Sequence, residues 1–501
     1  MRESGVLMPI FSLGGDYGIG NFGKQAYAFV DFLKSSGWRY WQILPLVETG
    51  TGNSPYMSVS STSINPLFVD PEDLFKRGLV TREDLDERKC HFYKKINYTT
   101  VRKKQMKLLR KAFGNFDVTE RAFVTFKENG KYTDYALFKA ISSHTKAGDD
   151  FSKWKLRVKT RTPFAMESVG KKYAKDVDFW LFVQYIAKKQ WLKLKMYAND
   201  NDVKIIGDIP FYVSYASADV WANPKNFKLD DNYAPTEVAG VPPDYFSKDG
   251  QLWGNPVYDV DYQSKRGYEW WIERITKSLE LYDVVRLDHF RAFDRFYSVK
   301  AGEKTAVGGE WKDSVGKSIF NKLKKIYPCD RFIAEDLGTL DDGVYALLKS
   351  TGFRGMKVIS FAFDGNGDNP YLLENIKENS VCYTGTHDND TLLGLVKSLD
   401  GELKKNHIRM VRQELDYAKI TKRLNSDKSV AEGMLELALA SESNLAIIPM
   451  HDLLLLDGEY RINTPGVVGD ENWSVRISDK YFTEELVKKM AGYNETFNRN
   501  E

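Results

Sequence analysis

Short apolar runs alternate along the chain with segments whose apolar residues recur every three or four positions. Residues 6–12 and 38–44 are apolar runs of strand length. Between them, Ala26, Phe29 and Leu33 recur at the spacing of one helix face. This strand–helix–strand order predicts a βα unit, the building block of parallel sheets.

The same unit repeats towards the end of the chain. Six further apolar runs predict strands three to eight at 203–208, 284–290, 332–336, 355–361, 381–384 and 445–450. Eight βα units close most naturally into an α/β fold of the (β/α)8 TIM barrel type, with an open doubly wound sheet as the alternative. Only about fifty residues follow the eighth strand, so we expect no C-terminal β-sandwich domain.

Two long segments depart from this pattern, and each follows a predicted strand. Residues 46–170 begin with a Gly-, Ser-, Thr- and Pro-rich loop and continue as charged, irregularly helical sequence. We predict that they form an inserted loop and a mainly helical subdomain after strand two. Residues 209–263 predict an inserted, substrate-binding loop region after strand three, because a loop of this length in a compact domain is usually functional. Residues 1–501 would then be one barrel domain with large insertions in its βα loops.

Composition is that of an ordinary globular protein. The 501 residues are 42% hydrophobic and 28% charged, with a formal net charge of +3 and no long basic run. We therefore expect no nucleic-acid partner. No apolar stretch is long enough to span a membrane, and the N-terminus lacks the features of a signal peptide. Three widely separated cysteines form no disulfide or zinc pattern, so we expect a cytoplasmic protein without a membrane partner.

Acidic residues stand at the ends of several predicted strands. Asp208, Asp288, Glu335 and Asp388 lie at or just beyond the carboxyl ends of strands three, four, five and seven. In a barrel these ends meet at one face, where active sites are found. A single acid in such a position is more often a helix cap or a turn residue. Four acids together with Arg286 at one mouth are hard to explain as caps.

The strand at 284–290 contains a charged pair. Arg286 and Asp288 are two residues apart, so their side chains point to the same face of the strand. Such a pair persists on a buried strand when the charges compensate each other or when a site needs them. Taken alone the pair fits both explanations equally, and the other strand-end acids favour a site.

Converging carboxylates serve either divalent metal binding or glycoside chemistry. A metal site would need ligands at short spacing or several histidines, and no such spacing is present in the sequence. Glycoside chemistry needs one carboxylate as nucleophile and a second as general acid/base. Aromatic residues, which stack on sugar rings, make up 14% of the chain. One of them is Tyr56 in a long loop, although a turn tyrosine is equally common there. We therefore expect sugar chemistry without a metal or other cofactor.

A series of motifs, in order along the chain, resembles the α-amylase clan. Arg286-Leu287-Asp288, Glu335 and His387-Asp388 are similar to the three catalytic segments of that clan. The flanking sequence resembles more narrowly the amylomaltases, which are 4-α-glucanotransferases (disproportionating enzymes) of glycoside hydrolase family 77. These narrower matches lie at 54–56, 218–224, 240–246, 334–338, 385–391 and 463–466. The resemblance covers nearly the whole chain except the segment 77–170.

The resemblance implies a retaining 4-α-glucanotransferase. Such an enzyme cleaves α-1,4-glucosidic bonds of malto-oligosaccharides and passes the glucanosyl unit to the 4-hydroxyl of another glucan or glucose through a covalent intermediate. Asp288 would be the nucleophile, Glu335 the general acid/base and Asp388 the transition-state stabiliser. The substrate-binding residues implied in the same way are Arg286, His387, Asp208, Tyr56, Tyr245, Phe246, Trp253 and Asn463.

This chemistry sets further expectations. A retaining mechanism requires the carboxyls of Asp288 and Glu335 to stand about 5 Å apart. Glu335 needs a raised pKa, which we expect the nearby Asp288 anion to supply. Asp336 is a rival for the acid role, but adjacent strand residues point to opposite faces, so only one of the two can face the mouth. The resemblance selects Glu335.

Two other functions remain open from the sequence. An α-1,4-glucan hydrolase would use the same carboxylates with water as the acceptor. A catalytically silent glucan-binding protein would keep the fold without turnover. A monomer and a homodimer are both compatible with the sequence.

Overall fold

The computed structural model describes residues 2–90, 94–243, 247–338 and 340–500. Its strands are β1 (Glu3–Leu7), β2 (Tyr40–Gln42), β3 (Lys204–Ile209), β4 (Glu237–Val241), β5 (Gln251–Pro256), β6 (Val284–Leu287), β7 (Arg295–Lys300), β8 (Glu310–Asp313), β9 (Phe332–Ala334), β10 (Arg354–Val358), β11 (Ser380–Tyr383) and β12 (Leu445–Pro449).

The first ten α-helices are α1 (Lys24–Ser35), α2 (Pro71–Lys76), α3 (Arg82–Arg88), α4 (Tyr98–Gly114), α5 (Arg121–Glu128), α6 (Thr133–Ser143), α7 (Leu156–Lys159), α8 (Pro163–Lys172), α9 (Ala174–Asp200) and α10 (Ala218–Ala222). The others are α11 (Val260–Lys265), α12 (Glu269–Leu281), α13 (Arg291–Asp294), α14 (Gly316–Leu323), α15 (Asp342–Thr351), α16 (Leu392–Ser398), α17 (Gly401–Tyr417), α18 (Asp427–Ala440), α19 (Met450–Leu453) and α20 (Glu484–Thr496).

Eight parallel strands close into a barrel in the order β1-β2-β3-β6-β9-β10-β11-β12. Strand β1 pairs with β2 on one side and with β12 on the other, which completes the closure. Helices pack around the outside, and helix α1 buries the predicted positions Ala26, Phe29 and Leu33. The predicted (β/α)8 barrel is therefore confirmed, and no β-sandwich follows β12 within the described residues.

Most predicted strands run past their observed carboxyl ends, and two of these boundaries have a clear backbone cause. The first strand ends at Leu7, before the predicted 6–12 segment ends, and Ile10–Ser12 form a 3-10 turn. Pro9 has no N–H to pair in a parallel ladder, so the strand cannot continue through it. The fourth strand ends at Leu287 because His289 has a φ of 50°, a left-handed conformation that turns the chain.

The direction of side chains on β3 is fixed by close packing outside the barrel. A Cβ built on Gly207 would lie 2.2 Å from the Tyr282 ring, so this residue faces the aromatic ring that follows α12. Adjacent strand residues face opposite ways, so Asp208 faces the barrel interior. In the register of the sheet Asp208 lies beside Arg286 of β6.

The long insertions contain regular structure. Helices α2 to α8 lie in the segment between β2 and α9. The segment 209–263, expected as a loop region, contains α10, β4, β5 and α11. Strands β4 and β5 join β7 and β8 in a second, antiparallel sheet of order β5-β4-β7-β8, which the sequence analysis did not predict. None of the helices in the described parts of the chain is both long and apolar enough to cross a membrane.

Candidate active site

Arg286 links two of the predicted acids at the carboxyl ends of the strands. Its Nη1 donates to Asp208 Oδ2 at 2.7 Å and to Asp288 Oδ1 at 2.8 Å. The side chains of Arg286 and Asp208 are 5% and 0% exposed, while Asp288 remains 24% exposed. Both acids accept from one buried nitrogen, and of the two only Asp288 is partly exposed at the barrel mouth.

Electrostatics keep this arginine charged. Burial alone would lower the pKa of Arg286, but the carboxylates of Asp208 and Asp288 raise that pKa well above its ordinary value. Burial raises the pKa of Asp208, and the permanent charge of the Arg286 guanidinium opposes this shift. The pair that was ambiguous in the sequence is therefore part of a three-membered charged cluster.

Tyr56 connects this cluster to the loop after β11. Its hydroxyl donates to Asp208 Oδ2 at 2.7 Å. Its ring stacks on His387, with 5.0 Å between ring centroids and 14° between the ring planes. Burial raises the pKa of Tyr56 well above its ordinary value, so the hydroxyl stays a neutral donor. The loop after β2 therefore reaches over the mouth and brings Tyr56 to the charged cluster.

Glu335 directly follows β9 and lies beside Asp288. Its Oε2 accepts from the backbone N–H of His289 at 2.6 Å, and its Oε1 accepts from Leu337 N–H at 3.2 Å. His289 is the residue after Asp288, and its left-handed φ turns its N–H to the Glu335 carboxyl. The strand ends thus bring together the two acids for which the family resemblance implied complementary roles.

The pKa of Glu335 is raised to about 8, with burial as the largest cause. Arg286 opposes the shift, and the charge of Asp288 adds to it. The Asp288 anion contributes to the shift as expected, but removing the Glu335 carboxyl from water contributes more. At neutral pH this carboxyl is mostly protonated.

Asp336, the rival acid, is bonded into the barrel wall. Its Oδ1 accepts from Met356 N–H of β10 at 2.6 Å, and the residue is 5% exposed. A Cβ built on Gly355 would lie 2.7 Å from its Oδ2, so the carboxyl fills the space above that glycine. Burial raises the pKa of Asp336 to about 6. Asp336 is thus engaged with β10, whereas Glu335 is held next to Asp288.

Asp388 projects from the loop after β11. Asn463 donates from Nδ2 to Asp388 Oδ1 at 2.6 Å, and His387 Nε2 lies 3.5 Å from the same oxygen. The His387 side chain is 4% exposed and the Asp388 side chain 45% exposed. Three of the predicted site residues are therefore in direct contact, with the carboxylate open to the mouth.

Trp253 lies on β5 beside the same mouth. Its ring centroid is 5.0 Å from that of His289 in an edge-to-face arrangement. This contact brings the small antiparallel sheet next to Asp288. The other two aromatic residues predicted in this region, Tyr245 and Phe246, lie outside the residues that the structure describes.

Two residues of the site were missed by sequence reasoning. Trp473 is buried, with its ring centroid 5.8 Å from that of His387 and 5.7 Å from that of Tyr56. Arg461 donates from Nη2 to the backbone carbonyl of Asp388 at 2.7 Å. Both lie far beyond the last strand, where the only signal was the motif at 463–466. Over the described residues, no group of three or more His, Cys, Asp or Glu is arranged to hold a metal ion.

Comparisons with known proteins agree on one family. The family model Glyco_hydro_77, described as 4-alpha-glucanotransferase, matches residues 8–482. A 4-alpha-glucanotransferase of Clostridium butyricum is 42% identical over 488 residues, covering 96% of this chain and 98% of that protein. One of Aquifex aeolicus is 41% identical over 496 residues, covering 98% and 99%. The structure of an amylomaltase from Streptococcus agalactiae in complex with acarbose superposes with a TM-score of 0.93 at 36% identity, covering 100% of both chains.

Proposed function

The chain belongs to the 4-alpha-glucanotransferases of glycoside hydrolase family 77, and on that premise we propose how its barrel mouth performs the reaction. The enzyme cleaves α-1,4-glucosidic bonds and transfers the glucanosyl unit to another glucan. The observation that carries the proposal is a protonated, buried Glu335 held beside an Asp288 carboxylate that Arg286 orients.

Asp288 is the proposed nucleophile. Its Oδ1 accepts from Arg286 at 2.8 Å, and no group among the described residues is hydrogen-bonded to its Oδ2. The free oxygen attacks the anomeric carbon, and the bond to the leaving oxygen breaks. A covalent glucosyl-enzyme intermediate with inverted configuration results.

Glu335 is the proposed general acid/base. With a pKa of about 8 it carries a proton at neutral pH, and it gives this proton to the leaving glucosidic oxygen. As a carboxylate it then removes a proton from the incoming 4-hydroxyl, which attacks the intermediate. Two inversions give net retention of the α-configuration.

Asp388 is the proposed stabiliser of the transition state. Its Oδ1 is held by Asn463, and among the described residues its Oδ2 has no hydrogen-bond partner, so Oδ2 is available for sugar hydroxyls. Its negative charge stabilises the positive charge that develops on the sugar ring in the transition state. His387 and Tyr56 form a flat wall beside it, and Asp208 supports the floor through Arg286.

Transfer requires a sugar hydroxyl to compete with water at the intermediate. Trp253 is the proposed acceptor-side contact, supported by its position 5.0 Å from the His289 ring next to Asp288. The proposal retains Tyr245 and Phe246, which the resemblance implies on the same side. Closure of this region over an acceptor would exclude water from the intermediate.

We also propose a domain organisation, a smallest acceptor and a cellular location for the enzyme. Residues 1–501 act as one catalytic barrel with insertions at 46–170 and 209–263, and glucose serves as the smallest acceptor. We propose a cytoplasmic location without nucleic-acid or membrane partners. Three free cysteines and the small net charge of +3 are compatible with this setting.

Turnover of maltotriose tests the proposed function. We expect glucose together with a ladder of longer chains, while the total number of reducing ends stays constant. Rising reducing ends would instead identify water as the main acceptor and a hydrolase. Asp288→Asn should abolish the ladder, whereas a silent binding protein would produce no ladder in either form.

A further inference from the structure

The side chain of Asp388 is held by a segment that follows the last barrel strand. Asn463 donates from Nδ2 to Asp388 Oδ1 at 2.6 Å. Arg461 donates from Nη2 to the backbone carbonyl oxygen of Asp388 at 2.7 Å. One residue thus contacts the carboxylate itself, and the other contacts the peptide group that carries it.

The two holding residues are also linked to each other. Arg461 donates from Nε to the carbonyl oxygen of Asn463 at 2.8 Å. The backbone N–H of Asn463 donates to the carbonyl oxygen of His387 at 3.1 Å. Three hydrogen bonds therefore join residues 387–388 to residues 461–463, and a fourth joins Arg461 to Asn463. We call these Arg461 and Asn463 contacts the Asp388 bracket.

The bracket is attached to buried structure on its far side. Trp473 N–H donates to the carbonyl oxygen of Ile462 at 2.8 Å, and both residues are buried. Asn472 accepts from Thr464 N–H at 2.9 Å and is itself 7% exposed. Asn463 is 9% exposed although its side chain is polar. Buried amides of this kind are normally hydrogen-bonded, and Asn463 meets this requirement with Asp388.

The contacts fix which carboxylate oxygen faces the mouth. The terminal torsion of an aspartate is broad, so an unsupported carboxylate samples many orientations. An N–H of Asn463 on Oδ1 restricts this rotation and leaves Oδ2 directed away from the bracket. An amide also carries no charge, so it orients the anion without neutralising it.

We propose that Arg461 and Asn463 are positioning residues that hold Asp388 in the orientation needed for transition-state binding. This inference rests on the role proposed above for Asp388. The two residues act through Asp388 and not through direct contact with substrate. The substrate contact that the resemblance implies for Asn463 is therefore replaced by an indirect role.

Truncating the bracket tests the role directly. Asn463→Ala and Arg461→Met should each lower kcat for maltotriose transfer about 10- to 100-fold, the range for losing a hydrogen bond to a charged group. KM should change much less, because the lost orientation matters most in the transition state. Arg461→Lys should have a higher kcat than Arg461→Met, since a lysine ammonium can still donate to one of the carbonyl oxygens that Arg461 contacts. The matched controls are Asn425→Ala and Arg409→Met at exposed positions.

An isosteric change separates positioning from a merely structural role. Asn463→Asp places a second carboxyl 2.6 Å from Asp388 Oδ1, with His387 and Arg461 as the neighbouring ionisable groups. Two carboxylates this close share one proton, so the shared proton replaces the amide N–H at low pH. The ratio of Asn463→Asp to wild-type kcat should therefore be highest at acidic pH and fall as pH rises. A ratio independent of pH would overturn the proposal.

A double-mutant cycle with Asp388→Asn completes the test, using an α-maltotriosyl fluoride donor to keep slow variants measurable. If the bracket acts through Asp388, adding Asn463→Ala to Asp388→Asn should cause less than a twofold further loss. Fully additive losses in the double mutant would overturn the inference. The inference would also be overturned if both bracket variants kept wild-type kcat while Asp388→Asn was impaired. Wild-type activity in Asp388→Asn would instead refute the proposed role of Asp388. A lowered melting temperature with unchanged kcat would indicate a structural role only and overturn the inference.

Discussion

At the scale of single residues, the site is defined by how two carboxyls differ in environment. Asp288 is partly exposed and accepts from the permanently charged Arg286. Glu335 is enclosed by the strand ends, and burial raises its pKa to about 8. At neutral pH Glu335 is therefore a protonated acid, held beside the more exposed carboxyl of Asp288.

The pH dependence of kcat/KM follows from this difference. Burial makes the charged form of Glu335 costly, so the folded enzyme keeps the active, protonated form up to about pH 8. We expect kcat/KM for maltotriose to fall about tenfold per pH unit above that pH. A pH–rate series with circular dichroism at each pH measures the limb and shows that the protein stays folded.

Glu335→Gln provides the control for that series. It should lower kcat about 10²- to 10⁴-fold and abolish the alkaline limb, because no proton remains to be lost. If kcat/KM of the wild-type enzyme instead fell around pH 4.5, the ordinary pKa of a glutamate, burial would not be the main cause of a raised Glu335 pKa.

At the scale of elements, the antiparallel sheet β5-β4-β7-β8 extends the barrel at its mouth. Strand β4 pairs with β7, and Glu237 lies opposite Lys300 although β6 of the barrel separates them in sequence. The sheet carries Trp253 to the side of the mouth where His289 follows Asp288. An element assembled from two loops thus supplies a residue of the candidate site.

Removing the Trp253 ring should weaken the acceptor side. Trp253→Ala is expected to raise the acceptor KM about 3- to 10-fold, the range for losing one aromatic contact. It should also increase the release of new reducing ends from maltotriose, because water gains access to the intermediate. Product ladders and reducing-end assays at several glucose concentrations measure both effects.

Leu252→Ala is the matched control on the same strand. Adjacent strand residues point to opposite faces, and Leu252 packs against the small cluster of Tyr297, Val299 and Ala306. This change should lower stability without altering the ratio of transfer to hydrolysis. An equal change of that ratio in both variants would mean that Trp253 acts only by stabilising the sheet.

At the scale of the whole molecule, the chain ends close the barrel at the face opposite the site. Arg499 is buried and donates to the carbonyl oxygens of Leu439 at 2.6 Å and Ser441 at 2.9 Å, near the end of α18. Its Nη1 donates at 3.0 Å to the carbonyl oxygen of Glu3, where β1 begins. The guanidinium therefore satisfies carbonyls at a helix end and ties them to the first strand.

Arg499→Ala should destabilise the fold without affecting catalysis. It removes a donor from several buried carbonyl oxygens, of which those of Leu439 and Ser441 also accept from Arg2, and we expect the free energy of unfolding to fall by about 3 kcal/mol. The kcat for maltotriose should stay within a factor of two, since strand beginnings lie at the far end of the barrel. Urea unfolding and initial rates measure the two quantities. The control is the exposed Arg423→Ala, and equal stability in the two variants would contradict this account.

Local patterns in the sequence were sufficient to predict the barrel. The apolar runs that became its eight strands were each apparent in a window of a few residues, and so was the helix spacing of Ala26, Phe29 and Leu33. The placement of Asp208, Asp288 and Glu335 at one mouth follows from strand ends alone, because parallel strands in a barrel end at the same face. The hydrophobic period was therefore enough to predict the barrel, and the positions of the acids at strand ends were enough to predict that they meet at its mouth.

Other features were decided only by tertiary packing. Burial is the largest cause of the raised pKa of Glu335, and a bond to β10 turns Asp336 away from the same role. The Asp388 bracket joins positions more than seventy residues apart in the chain. The pairing of β4 with β7 is likewise invisible to any local window. Desolvation and contacts through space depend on which distant segments pack together, whereas hydrophobic period is a property of neighbouring residues. That is why the sequence alone determined the barrel and its acids, and the fold determined their protonation and orientation.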